Sequence, residues 1–378
     1  MDFRLTEEQL ALQETARRFA EREMKPVAAK YDQGKEFPWD VMQKAFEAGF
    51  LSCTIPEEYG GGGLSALDTA IVSEELVMGC PGMFTTIMVN SLAFTPIILF
   101  GTHEQKQKFL TPFTKEMGLA AFCLTEREAG SDAGKVITAA EKVGSEYVIN
   151  GEKCFISNGG VAKLYVVFAN TARAKGSRGM AAFIVPADTP GIQIGKEEDK
   201  MGQRASNTTE LFFDDVRVSA ENLLAKEGMG FVVAMKTLDK ARASVGAAGV
   251  GVARAAYEYA LEYAKTRQQF GKPIASFQHI AFKLADIATE IDAARFLVWH
   301  AAWLIDNGAK GAKESAMAKA YASDVAMRTT VDAVQILGGY GYMKDYPVEK
   351  LMRDAKLLQI YEGTNEIQRL VIAHEITT

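Results

Sequence analysis

Cysteine is scarce and scattered in this chain. Cys53, Cys80, Cys123 and Cys154 form no CxxC pair, which excludes a zinc ribbon and a dithiol redox motif, and they read as reduced core thiols. Histidine is equally sparse. His103, His279, His300 and His374 lie far apart with no HExxH spacing, so each reads as structural rather than as a metal ligand. There is no Walker loop and no G-x-S-x-G elbow. No basic block exists: the net charge is -6 with acids and bases interleaved, which leaves no electrostatic footprint for nucleic acid. The opening Met1-Asp2-Phe3-Arg4 lacks the basic-then-apolar order of a signal peptide. Residues 76–102 carry no Asp, Glu, Lys or Arg, yet Gly79, Pro81, Gly82, Asn90 and Pro96 interrupt them. That stretch reads as a buried helix beside a ligand pocket, not as a membrane span.

What is present suits a globular protein of two or three domains: 378 residues, 48 % hydrophobic and 24 % charged, enough to bury large cores without disulfides. Thr6 and Gln9 fit a capping box, and Leu12, Ala16, Phe19 and Ala20 continue at helical spacing. Further helices are expected near 38–49, 66–78, 84–100 and 103–111, with Gly60 to Gly63 as a loop. Near Leu119 the pattern changes. Tyr147 and Ile149 alternate with polar neighbours, Asn150-Gly151 reads as a hairpin turn, and Cys154 and Ile156 alternate again. Residues 164–169, 179–185, 192–194 and 211–218 are also short and β-rich, giving a small β domain of about one hundred residues. Helical patterns return at 231–266, 277–306, 316–337 and 348–357, as in a bundle. The expected fold is α+β: an N-terminal helical domain (1–118), a small central β-barrel or sandwich (119–228) and a C-terminal four-helix bundle (229–378). Gly246, Gly249 and Gly251 lie inside a helical pattern with no preceding strand, so they indicate close helix packing rather than a dinucleotide turn.

Four stretches carry the candidate chemistry. They are Phe122-Cys-Leu-Thr125-Glu-Arg-Glu-Ala-Gly-Ser131-Asp132; Asn150-Gly-Glu-Lys-Cys-Phe155-Ile-Ser157-Asn158; Tyr263-Ala-Lys-Thr-Arg267-Gln-Gln-Phe270-Gly271; and Gln335-Ile-Leu-Gly-Gly339, leading to Arg353-Asp354 and Tyr361-Glu362-Gly363-Thr364-Asn365-Glu366-Ile367. Singly, each has a bland reading as a cap, a strand end or a surface ion pair. Together, in this order, they resemble the acyl-CoA dehydrogenase family over essentially the whole chain, with the look of its short- and medium-chain, butyryl-CoA-type members.

The resemblance implies FAD held between the β domain and the C-terminal bundle. Thr125 would bond the flavin pyrimidine edge, Phe155 would lie along the flavin, and Ser157 would meet it near N5. Arg267 and Phe270 would reach FAD bound mainly by a neighbouring subunit, Gln335 and Gly339 its adenosine side, and Thr364 and Glu366 the dinucleotide. A homotetramer is therefore implied. Ser131, Asp239 and Arg242 would hold CoA; Phe84, Met88, Leu92 and Val245 would line the acyl pocket; Tyr361 and Gly363 would flank the substrate. Glu362 would be the base that takes the α-proton, its backbone N–H helping to hold the thioester oxygen. In an apolar cleft its pKa should be raised. Some relatives place the base one residue before the matching arginine; here that residue is Ala241. Phe155 and Ser157 stand where the family often has tryptophan and threonine, and Arg127-Glu128 replaces the usual proline and small residue. The resemblance further implies dehydrogenation of an acyl-CoA to the 2-enoyl-CoA, with electrons passing to an electron-transferring flavoprotein. The alternatives are an oxidase or an enoyl-CoA reductase on the same scaffold, or an inactive flavoprotein subunit. A cytoplasmic location is expected, or the mitochondrial matrix after removal of a transit peptide.

Overall fold

The structure is a computed structural model that describes residues 4–34 and 36–378; the first three residues of the signal-peptide reading lie outside it. The N-terminal helices begin where side chains can satisfy the free backbone amides. Thr6 caps Glu7–Phe19 (α1): its Oγ1 accepts from the Gln9 N–H at 3.2 Å, and the Gln9 side chain accepts from the Thr6 N–H at 3.1 Å. Ala28–Gln33 (α2) and Trp39–Glu47 (α3) follow, and beyond α3 the chain turns at Gly49 with φ 80. After the glycine loop come Ala66–Gly79 (α4, capped by Ser65), Pro81–Phe100 (α5), His103–Phe109 (α6, capped by Thr102) and Pro112–Lys115 (α7). Helix α5 starts three residues earlier than the sequence pattern indicates, because Pro81 is pre-organised for a first helical position. It is long and apolar enough to cross a membrane, but 72 % of its most apolar window is buried inside the protein.

The middle of the chain is one eight-stranded sheet. Its strands are Ala120–Cys123 (β1), Ala139–Val143 (β2), Glu146–Ser157 (β3), Leu164–Asn170 (β4), Met180–Pro186 (β5), Ile192–Glu197 (β6), Thr208–Ser219 (β7) and Leu223–Leu224 (β8). The order is β6-β7-β3-β2-β4-β5-β8, with β1 parallel to β4. Strands β4 and β5 are buried on both faces. Val166, Phe168, Ala182 and Ile184 pack towards Phe94 and Ile97 of α5, while Tyr165, Val167, Phe183 and Val185 join Tyr147, Ile149 and Leu211 on the other side. Their sequences are accordingly near-continuous apolar runs.

One expectation is corrected. Asn150-Gly151 is not a hairpin turn: β3 runs straight through it as one strand, with a bulge against β7 between Ile149 and Gly151. Asn150 exchanges hydrogen bonds with Asp215 across that bulge, at 3.0 and 2.7 Å. Gly151 sits so close to Thr138 that a Cβ would fall 2.6 Å from its hydroxyl. The turn is one element earlier, at Gly144-Ser145 between β2 and β3, where Gly144 supplies φ 62.

Helices then resume as Gly230–Thr266 (α8), followed by a short ribbon of Gln268–Gln269 (β9) and Lys272–Pro273 (β10). Gln278–Asp306 (α9), Ala312–Leu337 (α10), Val348–Leu358 (α11) and Asn365–Thr377 (α12) complete the chain. Helices α8 to α11 form the bundle and α12 lies along α10. The α8 glycines are contact points. A Cβ on Gly249 would meet the Ala322 backbone of α10 at 2.8 Å, and one on Gly251 would meet Glu74 O of α4 at 2.3 Å.

Candidate active site

A cavity of about 400 Å³ opens where α5, the sheet, α8 and the 361–367 segment meet. A larger one, about 600 Å³, lies between α1, α4, α8 and α11. Its deepest charges are paired, as Arg17 with Glu75, Arg254 with Glu74 and Glu75, and Lys350 with Asp354. The smaller cavity differs: both Glu362 carboxylate oxygens and Arg242 Nε are covered yet have no hydrogen-bond partner. Among the described residues, Glu362 and Arg242 are the charged groups with buried atoms left unpartnered, and leaving a charge so is costly enough to mark a site that awaits a ligand.

Each wall has a local cause. Thr125 and Ser131 lie on the loop after β1, which is pinned by Glu126. That carboxylate accepts the Ile137 and Thr138 N–H groups at 2.7 and 3.0 Å and the buried Lys153 ammonium at 2.7 Å. Lys153 also donates to Leu124 O at 3.1 Å, and Thr125 O accepts from the Cys154 N–H at 3.0 Å. Arg127, a departure from the family pattern, bonds Glu210 at 2.9 Å and Glu152 at 3.4 Å, tying this loop to β7 and β3. Phe155 sits at φ 56 where β3 bulges a second time, so its ring turns outward and is 65 % exposed beside the cavity. Ser157 follows on the same wall, and Asn158 anchors the strand end by donating to Thr86 O and Ala120 O at 3.1 and 3.2 Å.

The opposite wall is one stripe of α8: Phe231, Met235, Leu238 and Arg242. Arg242 is 3 % exposed and its Nη1 donates to Asp239 at 2.6 Å, so Asp239 is occupied by an intrahelical ion pair. Glu362 stands at φ 52, followed by Gly363 at φ 94, a left-handed pair that projects the carboxylate into the cavity just before α12 begins. Burial pushes its pKa up to about 7, against the pull of Lys319 and Arg242. A base of that pKa must be ionised to work. Activity should therefore fall about tenfold per unit as pH drops below roughly 7, and a kcat/KM profile flat from pH 5 to 8 would contradict this assignment.

Of the residues singled out from the sequence, Thr125, Ser131, Phe155, Ser157, Met88, Leu92, Arg242, Tyr361, Glu362 and Gly363 all line this one cavity. Phe84 and Val245 do not: both are buried in the helical core, 2 % and 0 % exposed. Ala241 faces a small side cavity that shares Met88 and Leu92 with the main one. Thr364 and Glu366 are engaged at the start of α12, where Thr364 Oγ1 accepts from the Ile367 N–H. Arg267, Phe270, Gln335 and Gly339 form a separate exposed group. The Arg267 guanidinium lies 5.5 Å from the Tyr340 ring centre, and Phe270 is 92 % exposed. Phe231, Met235, Leu238 and Ile367 were not singled out. The first three recur with Arg242 at helical spacing, a signal that was legible in the sequence.

The lining suits a flat, partly polar cofactor. It offers an outward aromatic ring at Phe155, hydroxyls at Thr125 and Ser157, and apolar walls at Phe122 and Leu124.

Comparison with known proteins agrees over the whole chain. Family models for the N-terminal, middle and C-terminal domains of acyl-CoA dehydrogenase match residues 6–136, 121–216 and 228–377. The acryloyl-CoA reductase (NADH) of Anaerotignum propionicum is 49 % identical over 378 residues, covering 100 % of this chain and 96 % of that one. The butyryl-CoA dehydrogenase structure from Megasphaera elsdenii superposes with TM-score 0.98 at 45 % identity, covering 100 % of both chains. A chain solved in work on the electron transferring flavoprotein of Acidaminococcus fermentans and flavin-based electron bifurcation gives TM-score 0.97 at 47 % identity, covering 100 % of this chain and 99 % of that one.

Proposed function

The chain belongs to the acyl-CoA dehydrogenase family, and from that premise we propose that Glu362 is the base of an FAD-dependent dehydrogenase acting on short or medium, neutral acyl-CoA thioesters. The observation that carries this is the Glu362 carboxylate, enclosed and without a partner in the same cavity as Arg242, Phe155, Thr125 and Ser157. FAD, when bound, supplies the acceptor for the hydride that leaves Cβ. Phe155, Thr125 and Ser157 would hold its ring system from the sheet side. Glu362 removes the α-proton, and its backbone N–H would meet the thioester oxygen as negative charge develops there. The apolar stripe of Phe231, Met235 and Leu238 excludes water from the reacting carbons. Ser131, at the exposed rim, and Arg242 would take the CoA chain, with Asp239 balancing the arginine charge.

Arg267, Phe270, Gln335 and Gly339 are exposed and do not line the cavity of their own protomer. We assign them to the FAD of a neighbouring copy in a homotetramer. The reduced flavin would be reoxidised by an electron-transferring flavoprotein, the protein with which the Acidaminococcus work is concerned.

Met88, Val89 and Leu92 make the α5 wall of the cavity apolar. An unpaired terminal carboxylate there would be costly. Anaerobic flavin bleaching against an acyl-CoA panel should therefore show short or medium neutral chains reducing the enzyme much faster than glutaryl-CoA. A preference for the dicarboxylic thioester would overturn the pocket assignment.

A second reading has its own support. A base with a pKa about 7 is populated in both forms near neutrality, so protonated Glu362 is equally placed to return an α-proton to a 2-enoyl-CoA. The name of the Anaerotignum relative points the same way. Comparing acyl-CoA oxidation with enoyl-CoA reduction in the same preparation separates the two directions.

A further inference from the structure

Behind Glu362, away from the cavity, lies a polar cluster that the proposed chemistry does not use. At its centre is Lys319 of α10, a lysine with no exposed surface. Its ammonium donates to Gly363 O at 2.8 Å and to Asn365 Oδ1 at 2.9 Å. These two acceptors flank Thr364 and directly follow the base. Asn365 is held in turn: its Nδ2 donates to Ser323 Oγ at 2.9 Å and Asp324 Oδ1 at 2.7 Å. Gln359 donates to the same Asp324 oxygen at 2.7 Å, so both ends of the turn that carries Glu362 are moored to α10. Burying an ammonium is expensive, and hydrogen bonding alone does not require it. Gly363 O already accepts from Gln368 Nε2 at 2.9 Å, and Asn365 Oδ1 from Ser323 Oγ at 3.1 Å. Both acceptors thus keep a donor without Lys319.

We propose that Lys319 is a positioning residue for the base: by bonding Gly363 O and Asn365 from the side of α10 it clamps the Glu362-Gly363 turn in its left-handed conformation and so fixes where the carboxylate points. This rests on the reading of Glu362 as the base. Burial pulls the Lys319 pKa down to about 8, while Glu362 pulls it back up, the reciprocal of the pull that Lys319 exerts on Glu362. The charged groups facing the base are Arg242 from α8 and Lys319 from α10. Facing Lys319 are Glu362, Arg242, Asp324 and Glu366. Arg242 also pairs with Asp239, so it and Lys319 both act on the base, but of the two only Lys319 is bonded to the turn that carries it.

The test is Lys319→Met, made in the full-length FAD-loaded protein. Without the cation Glu362 holds its proton to higher pH, so the acid limb of the kcat/KM profile should move up by roughly one pH unit. With the turn loosened, kcat should drop about 10–100-fold while KM for acyl-CoA changes little. Lys319→Arg, which keeps the charge but not the geometry, should lower kcat with the limb unmoved. A Lys319→Met enzyme that loses only thermal stability or FAD content, with the limb and kcat of the surviving holoenzyme at wild-type values, would overturn the proposal. If Lys319→Met does not fold, Asn365→Ala decides: it frees one arm of the clamp and should cost about tenfold in kcat, whereas a wild-type kcat sinks the idea. Glu362→Gln run alongside separates the failures. If it stays active the base assignment falls; if it is dead while the Lys319 variants behave as wild type, only the clamp falls.

Discussion

Replacing Glu362 by glutamine should nearly abolish turnover while leaving FAD content and CoA affinity close to those of the parent. Glutamine keeps the shape of the side chain and tolerates the apolar pocket better than an ion does, so no folding defect is expected. It cannot take a proton. A well-placed general base supplies about 10²–10⁴-fold, and the loss should reach the upper end because the α-proton and β-hydride leave together. Anaerobic mixing with a neutral short acyl-CoA, followed through flavin bleaching, measures the step directly. Undiminished bleaching would remove Glu362 from the chemistry. The outcome should also be insensitive to pH near 7, since the group that titrates there has gone.

The second large effect concerns stability. Lys153 and Glu126 form a pair 2.7 Å apart, with side chains 0 % and 3 % exposed. Burial tends to raise the Glu126 pKa, but Lys153 and the Ile137 amide outweigh it and hold the carboxylate below its usual range. Lys153→Met leaves that carboxylate charged and buried with only its amide donors, at a cost of about 3–5 kcal/mol. The loop bearing Thr125 and Ser131 hangs from this pair, so FAD should also be lost more readily. Adding Glu126→Gln removes the stranded charge while its carbonyl still accepts from the amides, and most of the stability should return. Urea denaturation of the single and double variants checks this. A single variant within about 1 kcal/mol of the parent would show that water or a shift of the loop replaces the lysine.

Much of the helical framework was legible in local chemistry. The capping pair Thr6 and Gln9 fits its start with no help from distant residues, because both partners lie within one turn. The apolar stretch around Phe94 was readable as a buried helix, since interruptions such as Pro96 argue against a span whatever surrounds it. Asn150-Gly151 misled for a physical reason. The dipeptide suits a tight turn by its tolerance of positive φ, and the same tolerance suits a bulge; Asp215 and Thr138, far away in sequence, select the bulge. Helix α12 was weighed only as a helix that Glu362 could begin; it starts three residues later, at Asn365, because Thr364 is its cap.

The sequence by itself determined the α–β–α order, because that rests on local periodicity; the family and the candidate base Glu362 came from the resemblance of its four motifs to the acyl-CoA dehydrogenases. It named Glu362 but could not show that Lys319, more than forty positions earlier, stands behind it; nothing in the spacing of an alanine-rich helix marks one lysine as buried. The resemblance already gave Arg267 and Phe270 to the FAD of a neighbouring subunit, and the tertiary structure puts Thr125 and Ser157 on a cavity wall while Arg267 and Phe270 stay on an exposed surface. The resemblance also placed Phe84 and Val245 beside the acyl chain; both are buried in the helical core, in the same cluster as Met88, which does line the cavity. The raised pKa of Glu362 was expected from chemistry, but its size is decided by which cations reach a site that water does not, and that is a property of the folded chain alone.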